Sequence, residues 1–66
     1  MTVVVNGEPR ELRTARNIAA MVEELDLPAP TLLIEHNGTA LTRSGWQEAP
    51  LAEGDRIELL RVTAGG

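Results

Sequence analysis

The spacing of apolar residues changes period twice along the chain, from two to about 3.6 and back to two. Residues 1–5 are rich in β-branched side chains, which suit a pleated, half-buried strand. With Val3 and Val5 turned inward, Val4 faces outward. Asn6-Gly7 follows, a pair that accepts positive φ at both central positions of a hairpin turn. The return segment 8–13 is weaker: Pro9 cannot donate to a ladder and points to an edge or a turn, and Leu12 is its inward residue. Ile18, Met21, Val22 and Leu25 then fall at i, i+3, i+4 and i+7, the stripe of an amphipathic helix. Asn17 is a suitable N-cap, with Thr14 an alternative start. Glu23, Glu24 and Asp26 crowd the negative end of that helix, so packing rather than electrostatics must hold it. Pro28 and Pro30 are expected to stop it.

The second half returns to strand patterning. Residues 31–36 place Leu32, Ile34 and His36 on one side and lead into a second Asn-Gly turn at Asn37-Gly38. Residues 39–42 predict a short return strand. Ser44-Gly45-Trp46 predicts irregular chain or one helical turn, and Glu53-Gly54-Asp55 a further turn. The last strand is expected at 57–62. Its Ile57 and Leu59 face inward, which turns Leu60 outward. The order hairpin, helix, strand, short strand, strand predicts an α+β domain in which one helix covers a mixed sheet of four to five strands. The first and last strands are expected to be the longest and to lie centrally as a parallel pair. The whole of 1–66 forms one domain, with 62–66 as a flexible, extended tail.

Composition removes several function classes. At 66 residues the chain is near the lower limit for unassisted folding. It has no cysteine, which excludes disulfides, thiolate metal sites and a thiol nucleophile. His36 is its only histidine, and no metal site is expected. Its basic residues are all arginine, so lysine Schiff-base chemistry is excluded. A net charge of −4 argues against nucleic acid as a partner. No apolar run approaches a membrane span and no signal peptide is visible, so the expected setting is the cytoplasm.

What remains is modest as chemistry. The many carboxylates read as solvated surface, since a chain this short has little room for a ligand-sized cleft. His36 reads as a partly buried, hydrogen-bonded residue and Trp46 as a plug at one end of the core. Val4, Leu60 and Val62 offer outward aliphatic surface, which is either ordinary scattered exposure or a docking face formed on two adjacent strands. The sequence ends Ala64-Gly65-Gly66. Such a segment is thin, lacks bulk at the glycines and can enter a narrow tunnel, presenting its terminal carboxylate; equally, it fits an ordinary frayed terminus.

Taken together, the run from Val3 to Glu8, the helix stripe, Asn37-Gly38, Arg43 with Trp46, the pattern Leu51-x-x-Gly54-Asp55-x-Ile57 and the final Gly65-Gly66 resemble the ubiquitin-like β-grasp sulfur carriers. Within them the chain is most similar to the ThiS-type carriers of thiamin biosynthesis. The resemblance implies a carrier that is not itself an enzyme and holds no cofactor. A ThiF- or MoeB-like adenylyltransferase would use ATP to adenylate the Gly66 carboxylate, recognising the tail at Gly65 and Ala64. Sulfur from a donor such as a cysteine desulfurase would then convert Gly66 to a thiocarboxylate. A ThiG-like thiazole synthase would receive it, and Val4, Leu60 and Val62 would be candidates for partner contact. The same fold and tail also serve molybdopterin and cysteine biosynthesis and protein modification, and a plain interaction module is the alternative from another class.

Overall fold

In the computed structural model, which describes residues 1–62, β1 (Thr2–Val5) turns at Asn6-Gly7 into β2 (Glu8–Glu11). The helix α1 spans Ile18–Glu24. A short 3-10 turn, Ala29–Thr31, leads into β3 (Leu32–His36), and Asn37-Gly38 connects it to β4 (Thr39–Leu41). A second 3-10 turn, Arg43–Glu48, precedes β5 (Arg56–Arg61). The five strands form one mixed sheet in the order β2-β1-β5-β3-β4. β1 and β5 run parallel, and the other pairings are antiparallel. This is the α+β, β-grasp arrangement that the sequence predicts.

β5 is the central strand, with β1 beside it as expected. The expectation that the terminal strands are the longest holds only for β5: it has six residues, β3 has five and β1 four. β1 is cut short by its own turn, where Asn6 and Gly7 take φ of 49° and 82°. Asn37 and Gly38 repeat the geometry at 50° and 87°. Positive φ at both positions is what a tight hairpin matched to strand twist requires.

Both asparagines also grip β5. The Asn37 carboxamide oxygen accepts the Arg56 amide at 2.8 Å. The Asn6 amide donates to the Ile57 carbonyl at 2.9 Å. One step further on, β1 has already turned away, and the Asn6 side-chain oxygen accepts the Leu59 amide at 2.7 Å. A side chain thus supplies the rung that the backbone no longer reaches, which leaves that β5 donor satisfied.

The core lies between the sheet and α1. Val3, Val5, Ile34 and Ile57 from the sheet meet Ile18, Met21 and Val22 from the helix, and Leu12, Ala15, Trp46, Ala49 and Leu51 close the ends. Fully burying aliphatic side chains of this size stabilises by about 1.5–3 kcal/mol each before chain entropy is subtracted. Trp46 plugs the core as the sequence suggests, but its indole N–H is buried with no hydrogen-bond partner among the described residues.

α1 starts at Asn17, whose side chain accepts the Ala20 amide at 2.7 Å; Thr14 does not begin it. The helix start is also tied to the segment before β5, through Ile18 N–H to the Ala49 carbonyl at 3.0 Å and Leu51 N–H to Arg16 at 2.9 Å. Its end differs from expectation. The prolines do not terminate the helix; a Schellman turn does so before them. Asp26 sits in the left-handed region at φ 56°, its amide bonds Glu23 at 3.1 Å, and the Leu27 amide bonds Val22 at 2.9 Å.

Glu24 is likewise more than a charge at an unfavourable helix end. Its carboxylate accepts the backbone amides of Arg13, Thr14 and Ala15 in the preceding loop. Those three amides hold its carboxyl at about 2.

Candidate functional site

Side chains alternate along β5, so Arg56, Glu58 and Leu60 face away from the core while Ile57 is fully buried beneath them. Leu60 is 62% exposed. Its partner across the sheet is Leu33 on β3, itself 54% exposed. Val62, the residue after β5 ends, is 44% exposed, and its amide bonds the Thr31 carbonyl at 2.7 Å. An apolar patch therefore exists on the open face, at the end of β5 that leads toward the chain terminus.

Its composition differs from expectation. Val4 is half-buried and pairs with Pro9 on one side and Arg56 on the other. It shares the outward face with Leu60 but lies four residues back along β5, about 13 Å at strand rise. The two do not form one patch, and Leu33 takes the place assigned to Val4. Leu33 was findable: if Leu32, Ile34 and His36 face inward, Leu33 must face outward. The strand order that brings it against Leu60 was the missing step. Leu33, Leu60, Ala40 and Leu41, with Glu35 and Glu58, line a groove of about 380 Å³ on this face. Ala64, Gly65 and Gly66 lie outside the described residues.

His36 and Asp55 form the main polar constellation near the sheet. His36 Nε2 is 2.8 Å from Asp55 Oδ2, with both side chains largely buried. The Asp55 carboxylate also accepts the Ala52 amide at 2.9 Å and the Asn37 side-chain amide at 3.2 Å. Burial raises the Asp55 carboxyl, but the hydrogen bonds from His36, Ala52 and Asn37 and the charge interaction with His36 outweigh it, leaving Asp55 below its ordinary value. This geometry ties the turn before β5 to the end of β3.

Glu11 is also lowered, by the Thr2 hydroxyl and the N-terminal ammonium. No cluster of metal-binding residues occurs among the described residues. A depression of about 740 Å³ between α1 and the second 3-10 turn is larger than the sequence suggests, but it is wide and open, with Glu23 and Arg43 on its rim. The Arg43 guanidinium lies 5.9 Å from the centre of the Trp46 ring, within range of a cation–π contact.

The model of the ThiS family matches residues 3–66, nearly the whole chain. The chain belongs to the ThiS family. This makes it a ThiS-type, ubiquitin-like sulfur carrier, a small protein of a family of carriers rather than catalysts. The crystal structure of the thiamine biosynthesis protein ThiS from Geobacter metallireducens superposes with a TM-score of 0.84 at 29% identity, covering all of both chains. Its solution structure gives 0.77 at the same identity, covering 100% of this chain and 88% of that one.

Among curated proteins, the ThiS-family chain is 26% identical over its full 66 residues to a thiazole synthase of Paramagnetospirillum magneticum. It spans only 20% of that protein's length. It is also 22% identical over 65 residues to the uncharacterized protein ycf40 of Trieres chinensis, covering 98% of this chain and 89% of that protein. No helix among the described residues is long and apolar enough to cross a membrane.

Proposed function

We propose that this chain carries sulfur to thiazole synthase for the thiazole ring of thiamin, in the cytoplasm, as a thiocarboxylate on Gly66. The observation that carries the reading is the family match, which extends through the final Gly65-Gly66. The synthase relative supports the choice of acceptor, because a ThiS-like stretch lies within one polypeptide with that name.

The chemistry follows from what a carboxylate lacks. It is a poor electrophile, so a ThiF-like adenylyltransferase uses ATP to join AMP to Gly66 and release pyrophosphate. A desulfurase holds cysteine's sulfur as an enzyme persulfide, whose terminal sulfur displaces AMP to give an acyl disulfide; a thiol then attacks that S–S bond, leaving the thiocarboxylate on Gly66 and a disulfide on the donor side. The carrier contributes an address and a handle: Ala64 and Gly65 let the backbone enter a narrow active site, and the folded body is the surface that partners recognise. The exposure of Leu60 on β5 and of Val62 just after it supports a contact with a protein that holds the tail.

Intact-protein mass after incubation with ATP, the cognate adenylyltransferase and sulfide tests this. The expected gain is about 16 Da, one oxygen replaced by sulfur at the C-terminal carboxyl. An unchanged mass, with an enzyme active on another carrier, overturns the reading.

A further inference from the structure

Asn6-Gly7 and Asn37-Gly38 are the same dipeptide in the same turn geometry. Both asparagines are exposed, and a Cβ added at either glycine would meet no atom within 4 Å, so both turns are open to water. The pair carries chemistry that the hairpins do not use. Glycine has no side chain to shield its amide nitrogen. Once deprotonated, that nitrogen can attack the carboxamide carbon of the asparagine before it. A C–N bond forms and closes a cyclic imide, the Cγ–Nδ2 bond breaks, and ammonia leaves with the proton taken from the glycine amide. Water then opens the imide at either carbonyl. One opening gives aspartate; the other reroutes the chain through the side-chain carbonyl and gives isoaspartate.

The two sites differ in what holds the carboxamide. Asn6 is tied by its oxygen, which accepts the Leu59 amide at 2.7 Å, and its NH2 has no partner among the described residues. Asn37 is tied at both ends: its oxygen accepts the Arg56 amide at 2.8 Å, and its NH2 donates to the Asp55 carboxylate at 3.2 Å. Ring closure has to swing the carboxamide toward the glycine nitrogen. At Asn37 that breaks one bond more, and the extra bond goes to a charged acceptor. The Asp55 carboxylate also opposes the negative charge that the attacking nitrogen brings. Asp55 is itself held in place by His36 and the Ala52 amide.

We propose that Asn6 is a self-modification site, converting to aspartate and isoaspartate through an imide with Gly7, and that Asp55 protects Asn37 from the same reaction. The inference stands apart from the carrier reading. Its effect falls on β5. Isoaspartate adds a methylene to the main chain of the β1–β2 hairpin and shortens the side chain, so the rung that Asn6 gives Leu59 is lost. Aspartate keeps an oxygen of the same reach. The chain thus ages at one of two like turns.

The test follows the full chain by peptide mapping in mildly alkaline buffer, below its unfolding midpoint. Each conversion adds about 1 Da, one NH replaced by one O, and enzymatic methylation of isoaspartate marks the rerouted product. In the folded chain the peptide bearing Asn6 should convert roughly tenfold faster than the one bearing Asn37. In denaturant the two rates should converge, because both carboxamides are then free. Asp55→Asn should speed Asn37 and leave the Asn6 rate in the same molecule unchanged, whereas general loosening would raise both. The separated isoaspartate form should melt below the Asn6→Asp variant. The proposal is overturned by equal or faster conversion of Asn37 in the folded chain, or by an inert Asn6 under conditions where the denatured chain converts. It is equally overturned by the same rate ratio with and without denaturant, or by Asp55→Asn raising both rates together. Equal midpoints for the isoaspartate form and Asn6→Asp would remove the effect on β5.

Discussion

His36 Nε2 and Asp55 Oδ2, 2.8 Å apart, join the last residue of β3 to the residue before β5. The pair sets where the central strand begins. Asp55 also holds Ala52 and Asn37, so one carboxylate fastens the turn at both ends. Because the folded-state value is depressed, its contribution is present above the unfolded value, near 3.8, and is lost as pH falls through the folded one. Asp55→Asn should lower the unfolding midpoint at neutral pH. Thermal melts across the acid range should show its deficit shrinking below about pH 4.

Glu24 gives a second acid-labile anchor. Its carboxyl, lowered from 4.5 to about 2, contributes stability above the unfolded value that disappears as pH falls toward 2. Glu24→Gln should flatten the acid limb of the stability curve. By NMR, the amides of Thr14 and Ala15 should shift and exchange faster.

Asp26 occupies a left-handed position with no glycine's freedom, at the negative end of α1. Asp26→Gly should stabilise the fold by about 0.5–1 kcal/mol, because it removes both the backbone strain and the unfavourable charge. Denaturant titration with an unchanged slope would register it; a loss of stability would count against the Schellman assignment.

Trp46 is buried, and its indole N–H has no hydrogen-bond partner among the described residues. Trp46→Ala should cost about 3–5 kcal/mol and leave little folded protein. Trp46→Phe should cost clearly less than its lost volume suggests, since a buried donor without a partner is removed as well. Circular dichroism melts of the two variants decide the point.

Leu60→Asp and Leu33→Asp should leave stability within about 1 kcal/mol of wild type, because both side chains are already exposed. Each should weaken synthase binding. Val4→Asp, four residues back along the face, should weaken it less.

Local pattern was enough for most of the fold. Period-two alternation identified Val3, Val5, Ile34 and Ile57 as core. The two Asn-Gly pairs marked both hairpins, and Asn17 began the helix where capping chemistry places it. What escaped was non-local. Glu24 reaches back to amides about ten residues earlier, a contact that no window on α1 reveals. Leu33 becomes a candidate only once β3 is known to lie beside β5. The Schellman turn was hidden because aspartate, not glycine, holds the left-handed position, while the following prolines drew attention to themselves. The tail was conspicuous in the sequence as chemistry, and the family match reaches through Gly66.

The central placement of β5 also has a mechanical meaning. In the proposed carrier role, an enzyme that draws the tail into its active site would pull on the end of β5, which is flanked on both sides by hydrogen-bonded strands. β1 runs parallel to it, so tension between the chain's two ends loads that ladder in shear, all rungs together, rather than peeling them one at a time. The Asn6 carboxamide adds a rung to the ladder just beyond the end of β1. This arrangement resists tension applied between the two ends of the chain.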